Sequence, residues 1–358
     1  MDNYVVGYGE HNQATLTGGE TQSARDDLAP LGDPLGWPST PGSTRTSSHV
    51  LEQVLHHHIV QAHKGLLPPS INPYGLKRVL DVHCQTGAWA IDLARTYPEI
   101  HVIGIDTDPA LIEIARHNTE ISQMKHVLFY EYRAPSALLT RGAASPLKES
   151  DPASTREHRQ SMGPIKGGDP TRGEGWAAAG VRFPIADQSC DFVHLFLYSP
   201  LFQSSEWPFF LGECKRVLKI GGSINLVSLA WGPGSGEAYS RLIMLMEQLL
   251  HKRGYSFSEQ SGPISPGVFL CHLLREAGFA HVMYTLFPVD FGGWNNSLGR
   301  ACCQLLLREL RMTRSLLLQY QLIDDKTFED LLWQQQQEIE ASHFCTTAAL
   351  ISTVATKQ

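Results

Sequence analysis

The chain lacks the compositional bias of a disordered or fibrous protein: Asp, Glu, Lys and Arg make up 18% of its 358 residues, close to ordinary soluble usage. Basic residues are the scarcer sign, Lys+Arg 29 against Asp+Glu 36, for a net charge of −7. A chain so balanced lacks the cationic surface that tracks nucleic-acid phosphates, so no nucleic-acid partner is expected. It also lacks any uninterrupted apolar run near the ~18 residues that signal a membrane span. The opening MDNYVVGYGEHNQ has an acid at once and no basic stretch leading into an apolar one, so no secretory signal is expected. Paired cysteine spacing is missing too. The seven cysteines, Cys84, Cys190, Cys214, Cys271, Cys302, Cys303 and Cys345, match neither a zinc site nor a disulfide framework and point to a reducing, cytoplasmic setting.

Hydrophobic residues at 42% are enough for a sizeable core. Residues 1–48 are rich in Gly, Ser, Thr and Pro and read as a disordered tail, because they cannot bury enough apolar surface to offset ordering entropy. Residues 49–67 place Val50, Leu51, Val54, Leu55 and Ile59 at helical spacing ahead of Pro68 and Pro69, which predicts a leading helix. From Arg78 onward short β-branched runs alternate with helical stretches: RVLDV, AWAIDLARTY, HVIGID, PALIEIARHN, HVLFYEY. Such alternation predicts βαβ units and a doubly wound parallel sheet. It breaks over residues 134–180, a Gly/Pro/Ser-rich stretch that reads as a disordered insertion, and resumes with CDFVHLFLYS, a helix EWPFFLGECKRVLK closed by Gly221 and Gly222, and SINLVSLAW. Two helical stretches, a strand AHVMYTLFPVDF, a helical block over 296–340 and a last strand CTTAALISTVATK follow. The domain reading is therefore one α/β domain over 49–133 and 181–358, interrupted by the insertion.

The segment VLDVHCQTGAWAIDLA, residues 79–94, is a strand ending in an acid, a short loop and a helix. In nucleotide-binding α/β folds this first turn lets a ligand approach backbone N–H groups at a helix N-terminus. Asp106 ends the second strand, where a carboxylate can accept bonds from both ribose hydroxyls. Asp81 and Asp106 thus bracket a candidate nucleoside site; the alternative is that each only caps the helix after it. DVHCQTG lacks the GxGxxG spacing of a dinucleotide-dependent oxidoreductase.

These segments resemble the class I S-adenosylmethionine-dependent methyltransferases. Residues 79–94 resemble the family's first motif, VLDxGxGxGxWAxxLA, and VIGIDTDPALIEIAR its second strand and helix. FPIADQSCDFVHLF resembles LPFxDxSFDxVxxxx, and FLGECKRVLKIGGSINLVS resembles fxxExxRVLKPGGxxxxxx. The last strands are similar to the family's antiparallel sixth and seventh strands. The resemblance implies a Rossmann-like fold with a seven-stranded doubly wound sheet, an antiparallel final strand and helical additions, with S-adenosyl-L-methionine as cofactor. It implies that Asp81 orders the loop and holds the amino-acid end of the cofactor, that Gly87 permits close approach, and that Asp106 with the neighbouring Thr107 takes the ribose. His83 and Gln85 stand where the family has its first two glycines, and would line the methionine side. Arg133 stands where the family often has an acid for the adenine amino group.

Two classes of function follow. One is a methyltransferase acting on a small molecule, since no protein- or nucleic-acid-reading module is recognisable. The other is a degenerate methyltransferase fold kept for binding or scaffolding, with His83, Gln85 and Arg133 filling the old site. Transfer from a sulfonium relies mostly on proximity and orientation, so no catalytic base is assigned. His194, Tyr198, Gln203, Trp231, Tyr239 and Trp294 are candidates for acceptor contacts, with core packing as the ordinary alternative. His56, His57, His58 and His63 resemble metal bait, but adjacent helical residues point around the axis and no metal site is assigned. The block around Cys302 and Cys303 has an apolar face interleaved with Arg300, Arg308, Arg311 and Arg314. It packs on the sheet, covers the site or pairs with another copy to form a homo-oligomer.

Overall fold

The computed structural model describes residues 56, 59–60, 63–132, 182–197, 202–257, 266–290, 297–341 and 343–358. The expected tail and insertion, with Arg133, Tyr198 and Trp294, lie outside these residues. Of the leading helix only His56, Ile59, Val60 and His63 are described, all with helical backbone.

The first strand, β1 (Arg78–Val82), has every residue after Arg78 buried, as a central strand covered on both faces requires. Chain order continues with α1 (Ala88–Thr96), β2 (His101–Asp106), α2 (Pro109–Ser122), β3 (Val127–Glu131), β4 (Cys190–Leu197), α3 (Trp207–Val217) and β5 (Leu218–Gly234). Then come α4 (Glu237–Lys252), α5 (Pro266–Glu276), β6 (Phe279–Asp290), α6 (Ser297–Gln319), α7 (Asp325–Glu340) and β7 (Thr346–Lys357). The seven strands lie in the order β3-β2-β1-β4-β5-β7-β6. β1 pairs parallel with β2 and β4, β2 with β3, and β4 with β5. β7 runs antiparallel to both β5 and β6. The sheet is thus the expected doubly wound one with an antiparallel final strand. β6, expected to be antiparallel like β7, instead runs with the other five, since it is reversed only relative to β7.

One face of the sheet carries Leu80, Val82, Val193, Leu195, Ile224 and Leu226 against α3 and α5. On the other, Val79, Val102 and Phe192 pack on α1 and α2, and Val227, Leu229 and Leu350 pack on α4, α6 and α7. The helical block expected over 296–340 is two helices. Cys303, Leu307, Leu310 and Leu317 share one buried stripe of α6, the i, i+4, i+7 spacing of an amphipathic helix, while Arg311 and Arg314 face outward. The side chains of Arg300, Cys302 and Arg308 lie outside the described ones.

α3 stops earlier than its sequence suggests. It ends at Val217, and Leu218 is already extended. Gly221 adopts φ +78° inside the register shift between Cys190 and Phe192, where β5 bulges before pairing resumes at Ser223. The two glycines therefore shape a bulge rather than close a helix.

Among the described residues no helix is long and apolar enough to cross a membrane, and no group of three or more His, Cys, Asp or Glu is placed to hold a metal ion.

Candidate functional site

β1 and β2 end side by side, and the loop from His83 to Gly87 lies across their tips. His83 has φ +54° and Gln85 φ +52°, with Gly87 at +79°. Left-handed backbone costs about 1–2 kcal/mol for an L residue, so two side-chain-bearing residues hold a conformation that glycine adopts freely. Neighbours over-determine it: Cys84 N–H donates to the Ile105 carbonyl (3.1 Å) and Gly87 N–H to the Cys84 carbonyl (2.9 Å). The Asn118 amide donates to the Thr86 carbonyl (3.1 Å).

Asp106 ties this loop to β2. It is 4% exposed; its Oδ2 accepts the Gln85 N–H at 3.0 Å and its Oδ1 accepts the Asp108 N–H at 3.1 Å. Neither Asp81 nor Asp106 caps a helix. α1 begins at Gly87 without a side-chain cap, and α2 is capped by Asp108, whose carboxylate accepts the Ala110 N–H ahead of Pro109 at the first helical position. The Asp-Pro pair in IDTDPA carried that signal, which the sequence reading did not use. Thr107 sits half-buried between Asp106 and the cap.

Phe129 of β3 supplies what the sequence reading missed below the loop. A Cβ at Gly87 would lie 2.4 Å from Phe129 Cζ, and one at Gly104 would lie 2.3 Å from Phe129 Cδ1 and Cε1. The ring therefore fills a slot between two glycines. Gly104 inside HVIGID, a glycine in a β-branched strand, was the available cue to close approach.

His83 points its imidazole across the tip of β2. Its Nε2 lies 2.8 Å from the Tyr132 hydroxyl, and its ring meets those of Tyr132 and Phe202 edge-on at 5.7 Å and 5.6 Å. Burial lowers the His83 pKa against the opposing pull of Asp106. Burial first, then Asp106, pushes the Tyr132 hydroxyl well above its usual value. Both groups are neutral near pH 7.

Asp81 sits behind the loop in a row of buried polar side chains, in register with His194, which is in register with Asn225. Ser352 O–H donates to Asn225 Oδ1 at 2.8 Å, which turns the Asn225 amide toward His194 Nδ1 at 3.4 Å. Trp89 stacks on the imidazole of His194 at 4.0 Å and donates to the Leu66 carbonyl. His194 is thus built into the core. So is Tyr239, whose hydroxyl donates to the Gly232 carbonyl, whereas Gln203 is half-buried and donates to the Arg253 carbonyl. Trp231 is half-buried on β5. His56 bonds Asp92 at 3.0 Å.

The same region sets an acid limit. His63, 4% exposed, has its pKa pushed from 6.5 down to about 4 by burial. His194 is pushed down by burial, with His63 and His56 adding to it. The unfolded chain takes up protons below about pH 6.5 that the folded one refuses. Stability is therefore full above pH 6.5, falls as the pH drops from 6.5 to 4, and levels off for His63 below that. The His63 share is at most about 3 kcal/mol. Urea midpoints measured across this window should fall, and His63→Leu should flatten the slope; a level profile in the unsubstituted protein refutes the assignment.

Asp81, His83, Gln85, Gly87, Asp106 and Thr107 are thus gathered at two adjacent strand tips beside the N-terminus of α1, where an α/β sheet of this winding receives its ligand.

Residues 75–140 match the family described as "Methyltransferase domain". Over 32 residues the chain is 56% identical to the secondary metabolism regulator laeA of Aspergillus fumigatus and 53% identical to that of Monascus pilosus, a match covering 9% of this chain and 9% of each relative. Phosphoethanolamine N-methyltransferase 2 of Haemonchus contortus, solved with S-adenosyl-L-methionine, superposes with a TM-score of 0.43 at 11% identity, covering 88% of this chain and 58% of that one. For geranyl diphosphate C-methyltransferase of Streptomyces coelicolor the TM-score is 0.39 at 12% identity, covering 93% and 90%. The methyltransferase-domain match lies on the β1–β3 half of a sheet wound β3-β2-β1-β4-β5-β7-β6.

Proposed function

We propose that the chain binds S-adenosyl-L-methionine at the β1 and β2 tips and transfers its methyl group to a small-molecule acceptor. The observation that carries this is the loop backbone: positions 83, 85 and 87 are all left-handed, although two of them lack the glycine that makes the conformation free. Strain retained where the surroundings enforce it is the mark of a functional segment.

The residues fit the group. Each Asp106 oxygen accepts one backbone N–H and keeps a lone pair, so one carboxylate serves the loop and a pair of ribose hydroxyls together. The first turn of α1 offers backbone N–H groups, Gly87 permits close approach to them, Asp81 and Thr107 flank them, and His83 and Gln85 lie on the methionine side. When bound, the cofactor supplies an electrophilic methyl group on a sulfonium. The protein positions the reactants, which is worth roughly 7–11 kcal/mol of barrier.

Calorimetric titration with S-adenosylhomocysteine tests the reading. Saturable binding is expected, weakened at least tenfold by Asp106→Ala, because hydrogen bonds to a charged acceptor contribute about 1.5–3 kcal/mol each. No heat at millimolar ligand would sink it. That result would favour a binding or scaffolding role, a reading supported by the imidazole, phenol and phenyl rings of His83, Tyr132 and Phe202 that occupy the strand tips.

A further inference from the structure

We infer that the side-chain bridge between His83 and Tyr132 is a gate across the β2 tip, closed in the free protein, that sets how readily a ligand reaches Asp106. The inference rests on the cofactor reading above.

His83 follows β1 and Tyr132 follows β3, with β2 between them. The loops on both sides are laced to that middle strand: Cys84 N–H to the Ile105 carbonyl at 3.1 Å, Tyr132 N–H to the Asp106 carbonyl at 3.0 Å. Neighbouring strands lie about 4.8 Å apart, so β1 and β3 are about 10 Å from each other. Two side chains that start on those strands and meet at 2.8 Å must cross over β2 at its end, where Asp106 stands. A glycine at position 83 has no side chain to lend to such a crossing, so the departure from the family's motif is what creates it.

The closed position is backed on both sides. Phe202 stands 5.6 Å from the His83 ring, and Phe183 stands 5.3 Å from the Tyr132 ring. Tyr132 is 4% exposed, whereas His83 is half-buried, so the bridge opens by rotation of His83 toward solvent while Tyr132 stays packed. In either imidazole tautomer one hydrogen bond joins the two groups, and opening breaks it. A binding-competent state populated only in part weakens apparent affinity by that fraction. Cutting the bond should therefore tighten binding. A bridge that instead served as a floor for the ligand would weaken binding when cut.

The test is calorimetric titration of S-adenosylhomocysteine into the full chain and two variants. Tyr132→Phe deletes the hydroxyl and keeps the ring against Phe183. His83→Asn keeps a residue that tolerates left-handed backbone but is too short to reach Tyr132. Both variants are expected to bind about twofold to tenfold tighter than the unsubstituted chain, the span of one net hydrogen bond. Unchanged or weaker binding by Tyr132→Phe, with the unsubstituted chain binding normally, overturns the gate and leaves the Asp106 reading standing. No binding by any of the three overturns the cofactor reading itself, and the gate with it.

Discussion

Arg216→Ala is expected to destabilise the fold by about 3–5 kcal/mol, the cost of leaving a buried carboxylate without its partner. Glu213, 8% exposed, faces Arg216 one turn along α3. The guanidinium donates through Nε to Oε1 at 2.7 Å and through Nη2 to Oε2 at 2.8 Å. The same carboxylate accepts the Phe183 N–H at 2.9 Å. Arg216 also donates to the carbonyls of Ile185 and Phe183 and to Asp187. One side chain therefore fastens the segment entering β4 to α3. Phe183, fastened by it, backs Tyr132 at the strand tips. Arg216→Lys should recover only part of the loss, because an ammonium cannot reproduce the planar two-point contact. Glu213→Gln should cost less, since the amide still accepts from Phe183 and Arg216 keeps Asp187 and two carbonyls. Urea unfolding at pH 7 ranks the three; a loss below 1 kcal/mol for Arg216→Ala would show that the pair is not the anchor described.

What could be read from the sequence, and what could not, follows the range of each interaction. Strands buried on both faces leave apolar runs such as HVIGID, and helices between them leave a 3.6-residue stripe, so the winding of β1 to β5 was legible. The proximity of Asp106 to the loop was legible for the same reason, because parallel strands joined by a crossover helix end on one edge. The direction of β6 was not, since FAHVMYTLFPVD reads alike either way round and pairing with β7 decides it. The Tyr132–His83 contact was not legible either: 49 residues of chain separate them, and only the strand order brings a β3 residue over β2 to β1. The left-handed backbone at His83 and Gln85 ran against residue preference, so it could be seen only in the fold. Gly104 was present in the strand read as HVIGID, yet its partner Phe129 lies on another strand.

That pair yields the other large effect. Gly87→Ala adds a methyl to backbone at φ +79° and sets it 2.4 Å from Phe129 Cζ and 3.2 Å from Ala115 Cβ. The left-handed conformation costs about 1–2 kcal/mol and overpacking about 1–3 kcal/mol, for a combined loss of roughly 2–5 kcal/mol. Phe129 is 3% exposed and also touches the Gly104 slot, so its ring has no empty side toward which to retreat. Gly104→Ala has no unusual φ and should show only the overpacking share, which separates the two contributions. Phe129→Ala should cost about 3–5 kcal/mol on its own through the cavity it leaves. The combined Gly104→Ala, Phe129→Ala variant should lose clearly less than the sum of its parts, because the new methyl then enters vacated space. Urea unfolding of the three variants completes this cycle. Simple additivity would mean that Phe129 does not occupy the slot, and the loop above it would then owe its shape to the Asp106 and Ile105 hydrogen bonds alone.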